Sequence, residues 1–75
     1  MNYSVSSRGN YSLRVYDLSG RTIKDLKEGN HGVGNYSATW DGTDKSGNAV
    51  APGNYIVKLL QNGKLVKSAK INLMR

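Results

Sequence analysis

Apolar and polar side chains alternate in short runs along the whole chain. Tyr3-Ser-Val5, Leu13-Arg-Val15, Tyr36-Ser-Ala38-Thr-Trp40 and, more loosely, Tyr55-Ile-Val57-Lys-Leu59 place an apolar side chain at every second position. A period of two, with β-branched and aromatic residues, marks a strand buried on one face. No window sustains a helical period. Thr22-Ile23-Lys24-Asp25-Leu26 sets its apolar residues three apart, and between strand-like runs that spacing predicts a strand with a bulge.

Turn residues divide these runs at Arg8-Gly9-Asn10, Leu18-Ser19-Gly20, Glu28 to Gly34, Asp41 to Gly53 and Asn62-Gly63. Asn62-Gly63 is the strongest hairpin signal, because both residues accept a positive φ. Four of the five tyrosines follow an asparagine, at Asn2-Tyr3, Asn10-Tyr11, Asn35-Tyr36 and Asn54-Tyr55. A turn residue and then an inward aromatic reads as the start of a strand. The Asn-Tyr-Ser triplets at Asn2, Asn10 and Asn35 match the glycosylation pattern, and turn grammar explains them better.

Short strands, short turns and no crossover helix predict an all-β fold, an immunoglobulin-like antiparallel β-sandwich of six to seven strands. An open barrel is the competing architecture. The inward set is Tyr3, Val5, Leu13, Val15, Ile23, Leu26, Tyr36, Ala38, Trp40, Tyr55, Val57, Leu59, Leu65, Ala69, Ile71 and Leu73.

Seventy-five residues make a single small domain, residues 1–75, with a thin core. There is no cysteine and one histidine, so neither disulfides nor a structural metal can staple it. Such a chain is expected to be one module of a longer protein, any leader lying elsewhere, and no apolar run reaches the length of a membrane span. Charge is uneven. Residues 1–44 hold five basic and five acidic side chains, whereas residues 45–75 hold six basic ones and no acid, which accounts for the net +6. Asymmetry of this kind can mark an anionic partner, yet lysines on solvent-facing edge strands also keep a sheet from pairing with others.

Candidate chemistry is sparse. His31, the single imidazole, falls in the glycine-rich stretch Gly29 to Gly34, expected to be a flexible loop and a poor platform for a catalytic base. Asp41 and Asp44 are the candidate pair of carboxylates for acid–base work, in a domain too thin to desolvate one of them. No catalytic residue is expected. Asp41-Gly-Thr-Asp44-Lys-Ser-Gly47-Asn48 looks superficially like a calcium loop, but two carboxylates beside Lys45 fall short of the six to eight oxygens calcium takes. Turn chemistry is the better account: Asp41 and Asp44 accept backbone N–H groups while Gly42 and Gly47 supply positive φ. No metal and no cofactor is expected. The glycines at 29, 32 and 34 precede no helix that could receive a phosphate. Every tyrosine except Tyr16 lies on the apolar phase of its strand, which leaves little for stacking nucleic-acid bases or sugars.

Three segments together carry a family signature: Tyr16-Asp17-Leu-Ser-Gly20-Arg, Trp40-Asp41-Gly42-Thr-Asp44-Lys-Ser-Gly47 and Pro52-Gly53-Asn-Tyr55. In that order they resemble the immunoglobulin-like domain first defined in the flagellar hook-capping protein. They are equally similar to the C-terminal sorting domain carried by cargo of the type IX (Por) secretion system. The resemblance implies that Asp17, Gly20, Trp40, Asp41, Gly42, Asp44, Gly47, Pro52, Gly53 and Tyr55 are turn and core residues of the fold. It also implies a choice of roles. The chain closes on Lys70-Ile-Asn-Leu-Met-Arg75, which is similar to the basic, hydrophobic last strand of sorting domains. That likeness implies a non-catalytic secretion signal at the C-terminus of a larger protein. Its partners would be secretion machinery proteins, read through Lys67, Lys70, Ile71, Asn72, Leu73, Met74 and Arg75, together with the parent's upstream domains. It would reach the cell surface or medium by way of the periplasm, with no nucleic-acid partner and no membrane insertion. The alternative is a structural or assembly module of the hook-cap kind, or an accessory module of an extracellular enzyme, carbohydrate binding being one such role.

Overall fold

The computed structural model describes residues 2–74. Among them are six strands: β1 (Asn2–Val5), β2 (Gly9–Tyr16), β3 (Thr22–His31), β4 (Gly34–Ser37), β5 (Gly53–Gln61) and β6 (Lys64–Leu73). All pairings are antiparallel. Four strands form one sheet in the order β3-β2-β5-β6, and β1 and β4 form a second. This is the expected immunoglobulin-like arrangement of two sheets, six-stranded.

The core lies between them. Tyr3, Val5, Tyr11, Leu13, Val15, Ala38, Tyr55, Val57 and Leu59 are buried together, with Ile23, Leu26, Tyr36, Trp40, Val50, Ile71 and Leu73 packed around them. Alternation along β2 and β5 delivers these side chains to one face.

Bulges decide the phase elsewhere. On β3, Leu26 and Ile23 are extra residues in the register against β2, which skips from Lys27 to Asp25 and from Lys24 to Thr22. The three-residue apolar spacing is therefore a strand with two bulges, each turning an apolar side chain back to the core. On β6, Val66 is the extra residue, since Leu59 faces Lys67 and Leu60 faces Leu65. A one-residue slip exchanges faces. Leu65, expected inside, is thus 58% exposed on the outer face. Ala69 keeps the inner phase opposite Val57 but is also exposed, because no strand of the smaller sheet covers it.

Two boundaries also differ from expectation. β3 runs on through Glu28 to His31, leaving only Gly32 and Val33 before β4. β4 ends at Ser37, so Trp40 lies in the connection to β5, half-buried and packed on the core from there.

Candidate functional site

The signature aspartates use their oxygens on their own turns. Asp17 Oδ1 accepts the Ser19 amide at 3.0 Å, the Ser19 hydroxyl at 2.6 Å and the Arg21 amide at 2.9 Å, while Arg21 Nε reaches Oδ2 at 3.1 Å. Asp44 Oδ1 accepts the Ser46 amide at 2.9 Å and the Asn48 amide at 3.0 Å. In both turns the glycine amide returns to the aspartate carbonyl at 3.0 Å, Gly20 to Asp17 and Gly47 to Asp44. Gly20 has φ 92° and Gly47 φ 86°, a region costly for any residue with a Cβ. Asp17-Leu-Ser-Gly-Arg21 and Asp44-Lys-Ser-Gly-Asn48 are therefore one five-residue turn used twice. The repeat Asp-x-Ser-Gly stands in the sequence and could have been found there.

Asp41 belongs to a third knot. Its Oδ1 accepts the Thr43 amide at 3.1 Å and the Thr43 hydroxyl at 2.6 Å. Lys24 Nζ donates to Thr43 Oγ1 at 2.7 Å and pairs with Asp41 Oδ1 at 3.5 Å. The Trp40 indole N–H donates to the Thr43 carbonyl at 2.9 Å, and its ring meets Tyr55 edge-on at 5.0 Å. The Lys45 amide reaches the Ile23 carbonyl at 3.1 Å, which docks this corner on β3. The carboxyls of Asp17 and Asp41 lie below the usual carboxylate range. The Ser19 hydroxyl and then the Arg21 amide favour the charged form of Asp17, and the Thr43 hydroxyl does so for Asp41. Among the described residues no three metal-ligating side chains gather. Pro52 is exposed in the stretch leading into β5, which Gly53 opens.

The asparagine–tyrosine pairs have a mechanical role. The hydroxyl of Tyr11 donates to the Ser7 carbonyl at 2.7 Å, Tyr36 to Gly32 at 2.7 Å and Tyr55 to Ala51 at 2.5 Å. Each reaches four residues back, so a ring seated on the core ties down the end of the preceding connection, as in the tyrosine corner of immunoglobulin sandwiches. Tyr3, the fourth, instead meets Nε2 of His31 at 3.1 Å. His31 is buried on β3 among Tyr3, Tyr11 and Tyr36, its ring centroid 6.0, 5.5 and 4.7 Å from theirs. The flexible-loop expectation for His31 is corrected by this aromatic cluster; glycine flanks concealed a strand end with an inward phase. Tyr16 alone stays outside, on the outer face of β2, with Lys58 Nζ 4.8 Å above its ring. Among the described residues every other ring packs inward, and none lies beside Tyr16 as a sugar-binding platform would require.

Five of the recognition residues expected from the sequence fall on one strand but on two faces. Lys67, Ile71 and Leu73 follow the inner phase of β6, Ile71 and Leu73 half-buried and Lys67 exposed. Lys70 and Asn72 follow the outer phase, opposite Ile56 and Asn54. Met74, past the strand, is 83% exposed. Arg75 lies outside the described residues. Lys67, Lys70, Ile71, Asn72 and Leu73 thus share an edge strand and divide between its two faces.

A family model, the FlgD Ig-like domain, matches residues 3–64. The match takes in β1 to β5 with both Asp-x-Ser-Gly turns and the Trp40 corner, and ends where β6 begins. No curated protein and no solved structure matches the chain. Strand order, turn chemistry and family model agree, and this chain belongs to the family of FlgD Ig-like domains.

Proposed function

We propose that the chain is a structural and assembly module that joins its parent protein to others through exposed strand edges. Domains of this family are non-catalytic structural modules. One observation carries the reading: the residues of the signature are consumed by the fold. The aspartates hold their own turns, the tyrosines hold strand starts and Trp40 seals a corner. The sheet edges offer backbone to partners, the basis of strand addition.

A second reading, the export signal, has a separate observation in its favour. β6 carries Lys64, Lys67 and Lys70, all exposed, with no carboxylate on the strand, and from Leu65 onward it lies outside the family match. On this reading the strand is recognised by type IX secretion proteins on the way from the periplasm to the cell surface.

A reporter carrying residues 1–75 at its C-terminus separates the two when expressed in a bacterium with a type IX system and in its translocon-null sibling. The module reading expects folded reporter in the periplasm of both strains. Reporter at the cell surface or in the medium of the competent strain alone overturns it in favour of the export signal.

A further inference from the structure

The two sheets are unequal, and the place where the smaller one stops is specific. β4 follows β3 through a two-residue turn and pairs with β1, whose other edge has no strand partner among the described residues. Beside that edge is a small recess of about 80 Å³, lined by Asn2 and Tyr3 of β1, by core residues Leu13, Val57 and Leu59, and by Lys67 to Ala69 of β6. Farther along β6, Ile71 and Leu73 pack against the core, where Trp40 and Val50 also sit, and the inner face is closed. At Ala69 and Lys67 it is open.

We propose that this recess accepts an acidic extended strand from another polypeptide, which pairs with the free edge of β1 as a third strand of the small sheet. The inference rests on the assembly-module reading and narrows it to one edge and one partner chemistry. Three features select the occupant. The backbone edge at Asn2–Val5 calls for an extended segment, because strand addition satisfies its unpaired groups. The floor of buried leucine and valine calls for apolar side chains at alternate positions. Lys67 calls for a carboxylate, since it projects on the inner phase of β6, lines the recess and also lines the wider groove along Ser4, Asn35 and Ser37. None of the ion pairs among the described residues involves Lys67, and no acid occurs anywhere in residues 45–75. A second copy of this chain fits poorly, because two domains of net charge +6 repel, β1 has no acidic residue, and the acids of the β3 edge, Asp25 and Glu28, already face Arg14.

The test is titration of the 75-residue protein with a fluorescent peptide whose inward positions are valine, valine and glutamate, separated by outward threonines, against the same peptide with lysine in place of the glutamate. Amide hydrogen exchange locates the contact. The proposal expects saturable binding of the acidic peptide only, with exchange slowed at Asn2–Val5. Lys67→Glu, an exposed substitution that the fold tolerates, should weaken that binding about tenfold and admit the lysine peptide. Absence of binding, equal binding of both peptides, protection along β6 in place of β1, or self-association without peptide each overturns it. The reporter experiment does not involve this recess, so the acceptor site and the module reading fail on different results.

Discussion

The Tyr3 hydroxyl and Nε2 of His31 stand 3.1 Å apart and join the small sheet to the far end of β3. Nδ1 of His31 lies 3.0 Å from the Gly29 carbonyl, which can only accept, so Nδ1 carries the proton of the neutral ring. Nε2 is then the acceptor and Tyr3 the donor. Burial, and next the neighbouring Tyr36, raise the Tyr3 phenol above its ordinary value, so this donor stays protonated through neutral pH. The contact adds a tie to β3 beside the pairing of β1 with β4.

Tyr3→Phe keeps the ring and removes the donor, leaving a buried imidazole nitrogen without its partner. The expected loss is about 1–3 kcal/mol. In a domain of this size that lowers the melting temperature by roughly 4–8 °C per kcal/mol. Urea unfolding followed by Trp40 fluorescence measures it. An unchanged midpoint would show that the contact carries no stability.

The three tyrosine ties give a matched series. Tyr11→Phe, Tyr36→Phe and Tyr55→Phe should each cost about 0.5–1.5 kcal/mol, the net worth of one hydrogen bond. Tyr16→Phe, which loses only a contact with the part-exposed Arg14 side chain on the outer face, should stay within about 0.5 kcal/mol of the parent. Equal effects at all four positions would refute the assigned role of the backward bonds.

Gly20 and Gly47 should respond alike because they occupy the same place in the same turn. A Cβ at either meets nothing within 4 Å, so the cost of Gly20→Ala or Gly47→Ala is backbone strain at positive φ, about 1–2 kcal/mol. Gly32→Ala also meets open space, without a positive φ, and should be neutral or stabilising by about 0.4–1 kcal/mol. Calorimetric melting of the three variants decides it: a Gly32 variant as unstable as the others removes the conformational explanation.

Legibility followed locality. The Asn62-Gly63 hairpin, the Asp17 turn and the alternation of β2 and β5 depend on neighbours in sequence and could be read there. His31 could not, since its burial depends on Tyr3 and Tyr36, which belong to the other sheet. Leu65 was misplaced by the Val66 bulge, which leaves no mark in a Leu-Val-Lys run. Ala69 had the right phase, but burial needs a covering strand as well as an inward direction.

Acid should loosen the domain through its turns. Asp17 and Asp41 have folded-state pKa values below the ordinary 3.8, so their contribution is fully present above that value. It is lost as pH falls through 3.8 toward the lowered folded values, where the folded state takes up the protons. The urea midpoint is therefore expected to fall below about pH 4 as these two carboxylates take up protons. The double variant Asp17→Asn with Asp41→Asn should flatten that fall; an unaltered acid slope would assign it to other groups.

Two leucines that the sequence pattern treats as equivalent should behave oppositely. Leu13 is buried on β2, and truncation to alanine removes transfer energy and leaves a cavity, a cost of about 2–5 kcal/mol. Net stability runs at only about 0.05–0.15 kcal/mol per residue, so a chain of 75 residues holds little in reserve and Leu13→Ala should be largely unfolded at 37 °C. Leu65→Ser, on the outer face beyond the Val66 bulge, should leave stability within about 0.5 kcal/mol. Circular dichroism melting of both variants is sufficient. A Leu65→Ser protein as damaged as Leu13→Ala would mean that β6 pairs without its bulge, with Leu65 turned into the core on the same face as Lys67.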